Sequence, residues 1–333
     1  MHAELARTVI SLAVVVAVAT ATASASPAVD KPGVVDVQST LGYKSQIGSG
    51  TGILLSAAGE ILTNNHVIRG ATTVTVADVD NGQIYPVTVV GYDTAHDVAV
   101  LKIKGTHPPL KKLTLGSSTG LKVGQPVTAF GNAGAGGLDL TRGTGNVLAL
   151  GVSVTAKNDD GSFEPLSNLI VTNALTLGGE SGGPLLDSRG RVVGMSTAAF
   201  DAYRLPSGKT GSVAFAIPIT EALSIAHAIL SGRETRTSHI GPTPLLGIDV
   251  LTAASKGKGA PVNIVFPGSP AAKAGVQAGD RILSLAGKNV SSLATLQRAL
   301  IHNAPKDVVS IVWLDRAGKT RRGSAKLGTG PSQ

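Results

Sequence analysis

Residues 178–185 read Gly-Gly-Glu-Ser-Gly-Gly-Pro-Leu. Four glycines surround one serine, with an acid before it and a proline after. A linker has no use for the acid or the proline, and the following LDSRGRVVGM is not linker-like. Glycines lose backbone entropy on folding, so the chain must need their conformational freedom here. Acyl transfer supplies a reason. A serine hydroxyl is a weak nucleophile until a base sits beside it. The oxyanion that then develops needs backbone N–H donors aimed at one point. Gly179 and Ser181 are the expected donors, and Gly182 and Gly183 let the next turn pass close to the site.

The base must be sought among seven histidines. His2 lies in an export-type segment, His107 in the turn GTHPPL, His227 on an amphipathic stretch, and His239 and His302 farther on. His66 in LTNNHVI and His96 in YDTAHDVAVL remain. His66 follows a strand and begins a short turn. The order His66, Asp97, Ser181 is one of the known chain orders for a catalytic triad. Asp97 begins the alternating DVAVLKI, where a buried carboxylate can accept the imidazole Nδ1–H and fix its tautomer.

The chain has 333 residues, enough for about two domains, and its 42% hydrophobic content argues for a globular core. It begins with Arg7, an apolar run from Val9 to Ala19, and Ala23-Ser24-Ala25. That pattern fits an export signal at residues 1–25, or an uncleaved N-terminal anchor. No cysteine is present, which excludes thiol catalysis and disulfide staples. The net charge of +8 is scattered and lacks interleaved aromatics, so nucleic acid is not an expected partner. Attraction to an anionic cell envelope is the alternative use of that charge.

From Ile47 onward short β-type runs recur between glycine-rich turns, as in EILTNNHVI, TTVTVADV, QPVTAFGN and GSVAFAIPI. They predict an all-β barrel or sandwich over 47–231, closed by a helix in ITEALSIAHAILSG. Residues 26–46 read as a mixed lead-in and 232–243 as a polar linker. A small αβ unit follows over 244–327, with strands, a short helix at SPAAKAG and a helix at SSLATLQRALIHN, before a tail at 328–333.

TNNHVI, HDVAVLKI, GGESGGPLLDSRGRVVGM, VAFAIP, LLGI and SPAAKAGVQAGDRILSLAG, in that order, resemble HtrA (Deg) trypsin-like serine proteases carrying a PDZ domain, with most likeness to secreted actinobacterial members. The resemblance runs from about residue 47 to about 327. It implies a mainly β chain: two six-stranded β-barrels with the site between them, then a small αβ PDZ domain. His66 would be the general base, Asp97 its orienter and Ser181 the nucleophile, with an oxyanion hole at Gly179, Glu180 and Ser181. Glu180 stands where relatives carry Asn or Asp; with no activation sequence in the chain, it is expected to face solvent or a local donor. Where relatives read Thr-Asp-Ala, this chain has Thr172-Asn173-Ala174. Trimers in the family form through an aromatic-bearing N-terminal segment. Residues 26–46 offer only Tyr43, so the sequence lends a trimer, open to the family, no support.

The resemblance also places the floor of the primary pocket at Leu175 and Thr176, implying small or aliphatic side chains at the cleavage site. One wall, with a substrate-pairing edge, is expected from Ala214, Phe215 and Ala216. Leu245, Leu246, Gly247 and Ile248 would form the PDZ carboxylate loop, beside the helix near Ser292–Asn303. No metal or cofactor is expected. GNAGAGG at 131–137 reads as a loop near the site. Two functions then compete: a serine endopeptidase acting on exposed or misfolded polypeptide, and a peptide-holding chaperone or adaptor whose protease fold is idle. An esterase is a weaker third reading, for want of a nucleophile elbow between strand and helix.

Overall fold

The computed structural model describes residues 33–41, 46–132, 140–157, 163–175, 179–251 and 258–332. The export-type segment, Thr176 and the 133–137 part of GNAGAGG lie outside them.

The first layer is built from β1 (Val34–Leu41), β2 (Gln46–Leu54), β3 (Glu60–Thr63), the short α1 (Asn65–Ile68), β4 (Thr73–Asp78), β5 (Ile84–Asp93) and β6 (Val98–Ile103). The strands run in the order β5-β4-β1-β2-β3-β6, and β5 also pairs with β6, which closes six strands into a barrel. A second closed barrel follows from β7 (Pro126–Asn132), β8 (Leu140–Lys157), β9 (Phe163–Thr172), β10 (Pro184–Asp187), β11 (Val192–Arg204) and β12 (Thr210–Pro218). The helix α2 (Ile219–Leu230) ends just before Gly232, whose φ of 72° breaks the helical path.

Several first-barrel strands are apolar on both faces, and the packing explains why. Val35, Val37, Ile61 and Leu101 belong to one buried cluster. Their neighbours Val34, Leu62 and Val100 join a second, shared with Val192, Phe215 and Ile217 of the other barrel and with α2. The two barrels are therefore welded along an apolar seam, and the polar site sits at its rim.

The rest of the chain forms β13 (Ser238–Ile240), β14 (Thr243–Leu245), β15 (Ile248–Val250), β16 (Ala260–Val265), α3 (Pro270–Ala274), β17 (Arg281–Leu285), β18 (Lys288–Asn289), α4 (Leu293–Leu300), β19 (Val308–Leu314), β20 (Thr320–Lys326) and β21 (Gly328–Gly330). The sheet β15-β16-β17-β19-β20 has its own core around Ile282, Leu285, Leu296 and Trp313. Local signals fit these elements. Ser269 caps α3 and Pro270 opens it. Ser292 and Thr295 make a reciprocal capping box at α4.

Three boundaries differ from the sequence reading. Residues 34–41, read as part of a lead-in, form β1, which is paired on both edges by β2 and β4. The linker at 232–243 contains β13, which extends the first sheet beside β5, and His239 there is buried. The tail at 328–333 contains β21, which pairs with β14. Contacts across domains explain these gains in order. Ile301, just past α4, packs into the first-barrel cluster, and its carbonyl is hydrogen-bonded by His239 Nδ1. Gly70 N–H donates to Ser332 O at 2.8 Å.

What hid β1 is Asp36, a carboxylate only 1% exposed in the middle of VVDV. Burial pushes its acid up from 3.8, while the side-chain amides of Asn132 and Gln38 pull the other way. An acid raised in the folded state binds more protons there than when unfolded. Stability therefore falls as pH rises from about 3.8 through the higher folded value. Asp36→Asn removes that dependence. The difference in Tm between variant and wild type is expected to move in the variant's favour between pH 3.5 and pH 7; a pH-independent difference would contradict this account.

Candidate active site

His66 enters from α1, directly after β3, and Asp97 from the turn before β6. That turn is built by Asp93, whose Oδ1 accepts from the N–H groups of Ala95 (3.0 Å) and His96 (3.1 Å) and from His96 Nδ1 (2.8 Å). The Asp93 carboxylate raises His96, and the His96 interactions hold Asp93 below the ordinary carboxylate value despite burial. His96 is thus a turn-builder. The turn ends with Asp97 at φ 52°, a left-handed conformation that Asp tolerates better than most residues.

Asp97 is fully buried and its carboxylate is well supplied with donors. Oδ1 accepts from His66 N–H at 2.9 Å, and Oδ2 from His66 Nδ1–H at 2.8 Å and from Thr197 Oγ1 at 2.6 Å. Asn64 Nδ2 donates to the Asp97 carbonyl at 2.9 Å. With its Nδ1 proton committed to the carboxylate, the imidazole presents Nε2 as a lone pair. The His66 side chain is 25% exposed, open on the cleft.

Ser181 comes from the second barrel, in the turn before β10, and lines the same cleft as His66, Asp97 and Gly179. Its hydroxyl donates to Thr197 O at 3.3 Å. The turn explains its glycines. Gly179 and Gly182 have φ of 74° and 86°, and a Cβ on them would lie 2.1 Å from Asn132 O and 2.0 Å from Thr51 O. No other residue fits either place without moving backbone. Of the two expected surroundings for Glu180, solvent is excluded: it is 8% exposed, packed with its Cα over Gly131, where a Cβ would come within 2.5 Å of it. The close seat on β7 is what turns it away from solvent.

The expected pocket wall is also displaced. Ala214, Phe215 and Ala216 pair with β11 on one edge and β9 on the other, and all three are buried. A strand with both edges hydrogen-bonded has none to offer a substrate. The cleft is instead lined by Thr197, Ala198, Ala199 and Phe200 of β11. Past Met195 that strand has β12 on one edge and no strand partner on the other among the described residues. Leu175 is 39% exposed, and it is Ala156, Leu166 and Ile47 that add apolar lining.

The cleft is continuous with a second groove, between Leu245–Ile248 and the α4 face bearing Leu293, Leu296 and Leu300, and the two together have a volume of about 1240 Å³. Gly247 takes φ 77° there, and a Cβ on it would be 2.3 Å from that of Ser269. Leu246 is buried, and β15 pairs only with β16 among the described strands, so its other edge faces α4. Sequence reasoning missed Thr51, Asn64 and Thr197, since small polar residues next to strands carry no distinguishing pattern.

Comparisons with known proteins agree with the fold. A trypsin-like peptidase domain model matches residues 50–195 and a PDZ domain model matches 262–315. Serine protease PepD of Mycobacterium tuberculosis is 36% identical over 312 residues, covering 89% of this chain and 64% of that protein. The chain is HtrA (Deg)-like, a trypsin-like peptidase domain followed by a PDZ domain. Another relative, the periplasmic pH-dependent serine endoprotease DegQ of Escherichia coli, is 33% identical over 292 residues, covering 86% of this chain and 60% of DegQ. This HtrA-like chain spans about 60–64% of the length of these relatives. A solved structure of the HtrA-type protease AlgW with a tripeptide aligns over 91% of this chain and 95% of its own, with 29% identity and a TM-score of 0.50.

Proposed function

We propose that this HtrA-like chain is an extracytoplasmic serine endopeptidase that cleaves exposed or misfolded polypeptide through an acyl-enzyme, its PDZ groove taking C-termini or extended tails. The observation that carries the reading is the buried Asp97 carboxylate 2.8 Å from His66 Nδ1, with the imidazole opening on the cleft that holds Ser181. His66 Nε2 takes the hydroxyl proton as Ser181 Oγ attacks the peptide carbonyl. Asp97 stabilises the imidazolium without accepting its proton. The Gly179 and Ser181 N–H groups receive the oxyanion. The imidazolium then protonates the leaving amine, and water repeats the sequence on the ester. An extended substrate adds to the open edge of β11.

Among the described residues lining the cleft, Asp97 is the one carboxylate, and it is already engaged. Nothing there answers a Lys or Arg side chain, so small or aliphatic residues are the preferred ones at the cleavage site. The periplasmic and endoprotease names of relatives support the location and the reaction class, as does the export-type N-terminal stretch.

A peptide library incubated with the protein, with and without prior fluorophosphonate treatment, tests this reading. Cleavage after Val or Ala that the reagent abolishes is the expected result. Peptide binding with neither cleavage nor labelling would favour the idle holder. Cleavage after Lys or Arg would overturn the specificity argument alone.

A further inference from the structure

Thr51 lies in the β2 sequence Gly50-Thr51-Gly52, in the first barrel, and is completely buried. Its hydrogen bonds nevertheless converge on the nucleophile turn of the second barrel. Its N–H donates to Ser181 O at 2.8 Å. Its hydroxyl donates to Gly179 O at 2.7 Å and accepts from Asn132 N–H at 3.0 Å. Its carbonyl accepts from Thr63 Oγ1 at 2.8 Å, at the end of the strand that delivers His66. One residue therefore joins the strand before the base, the end of β7 and the turn bearing both oxyanion donors.

The consequence for the turn is geometric. The Gly179 carbonyl fixes the peptide plane between residues 179 and 180, and the Ser181 carbonyl fixes the plane between 181 and 182. The plane between them carries the Ser181 N–H. With both neighbours held, that N–H keeps its aim. Gly179 alone would not supply this order, because glycine visits many backbone conformations at similar free energy. The hydroxyl can do so because it donates and accepts at once, along two fixed directions. Its flanking glycine matters as well: a Cβ on Gly50 would stand 3.1 Å from Ser181 O, so small size there permits the two barrels to approach.

We propose that Thr51 is a positioning residue for the oxyanion hole, acting across the barrel seam through the Gly179 and Ser181 carbonyls. The proposal rests on the endopeptidase reading. It predicts a loss confined to the step in which negative charge develops, since ground-state peptide binding on the β11 edge does not involve Thr51.

The test compares Thr51→Val, which keeps shape and removes the hydroxyl, with Thr51→Ser, which restores it, in the full chain. Four quantities are measured: kcat and KM on a cleaved peptide, affinity for a peptide boronic acid, and Tm. Thr51→Val is expected to lower kcat by about 10²-fold, the scale of losing one oxyanion donor, with KM within about threefold. Boronate affinity should fall by a comparable factor, and Thr51→Ser should recover most of both. If Thr51→Val does not fold, Thr51→Cys serves, a similar shape with a far weaker donor, and a loss above about tenfold is expected. A folded variant with near wild-type kcat overturns the proposal, as does a fall in kcat at unchanged boronate affinity. A wild type that fluorophosphonate does not label overturns the endopeptidase reading and this inference together. A labelled wild type with an equally fast-labelled Thr51→Val overturns this inference alone.

Discussion

Ser181→Ala is expected to lower turnover of a cleavable peptide by about 10⁶-fold, and His66→Ala by a similar factor. Nucleophile and base work as a unit. Without the hydroxyl the imidazole has nothing to activate, and without the imidazole the hydroxyl stays protonated at neutral pH. The double variant should therefore be no slower than either single one. What remains is the contribution of the oxyanion hole and substrate binding, about 10³–10⁴-fold over water. Neither change should unfold the chain, since His66 is partly exposed and Ser181 lines the cleft wall. Initial rates on an active-site-titrated preparation, with matching Tm values, check this. Retention of more than about 1% of wild-type turnover in either variant would contradict the assignment.

Asp97→Asn should cost about 10⁴-fold in kcat, the scale expected when the imidazole is held in the wrong tautomer. The carboxylate now accepts the Nδ1 proton at 2.8 Å and leaves Nε2 free to take one. An amide that turns its NH₂ toward Nδ1 reverses this: the ring carries its proton on Nε2 and cannot act as a base. The orientation is set by His66 N–H, 2.9 Å from Oδ1, while the Thr197 hydroxyl, 2.6 Å from Oδ2, can turn and accept from the NH₂ group instead. The backbone N–H cannot change role, so it claims the amide oxygen. A loss of less than about tenfold in kcat, with Tm preserved, would show that Asp97 does not set the tautomer.

The three residues of the proposed triad stood out in the sequence because they lie in turns with strong local grammar: TNNHVI after a strand, HDVAVL before one, and a serine among glycines. The PDZ elements were legible through caps, notably Ser269 with Pro270 and the Ser292–Thr295 box. Strand β1 was hidden because Asp36 interrupts its apolar run, and only the fold reveals that Gln38 and Asn132 compensate the buried acid. β13 and β21 were hidden for another reason. Each is three residues long and is ordered by a distant partner, β5 and β14 respectively. The unpaired edge was expected on β12 and lies on β11, two strands with similar apolar sequences. Which of them has a free edge is a property of the sheet, visible only in the register of both neighbours.

The left-handed backbone at Asp97 has an evolutionary consequence. Gly and Asn adopt φ near 52° at least as readily as Asp does, so the two easiest replacements in conformational terms are ones that silence the imidazole. A lineage that no longer needed to cut peptides could discard the acid without a backbone penalty and keep the PDZ groove for capture. On the proposed endopeptidase reading, what keeps the acid at this site is therefore not the backbone but the three hydrogen bonds that its buried carboxylate accepts from His66 and Thr197.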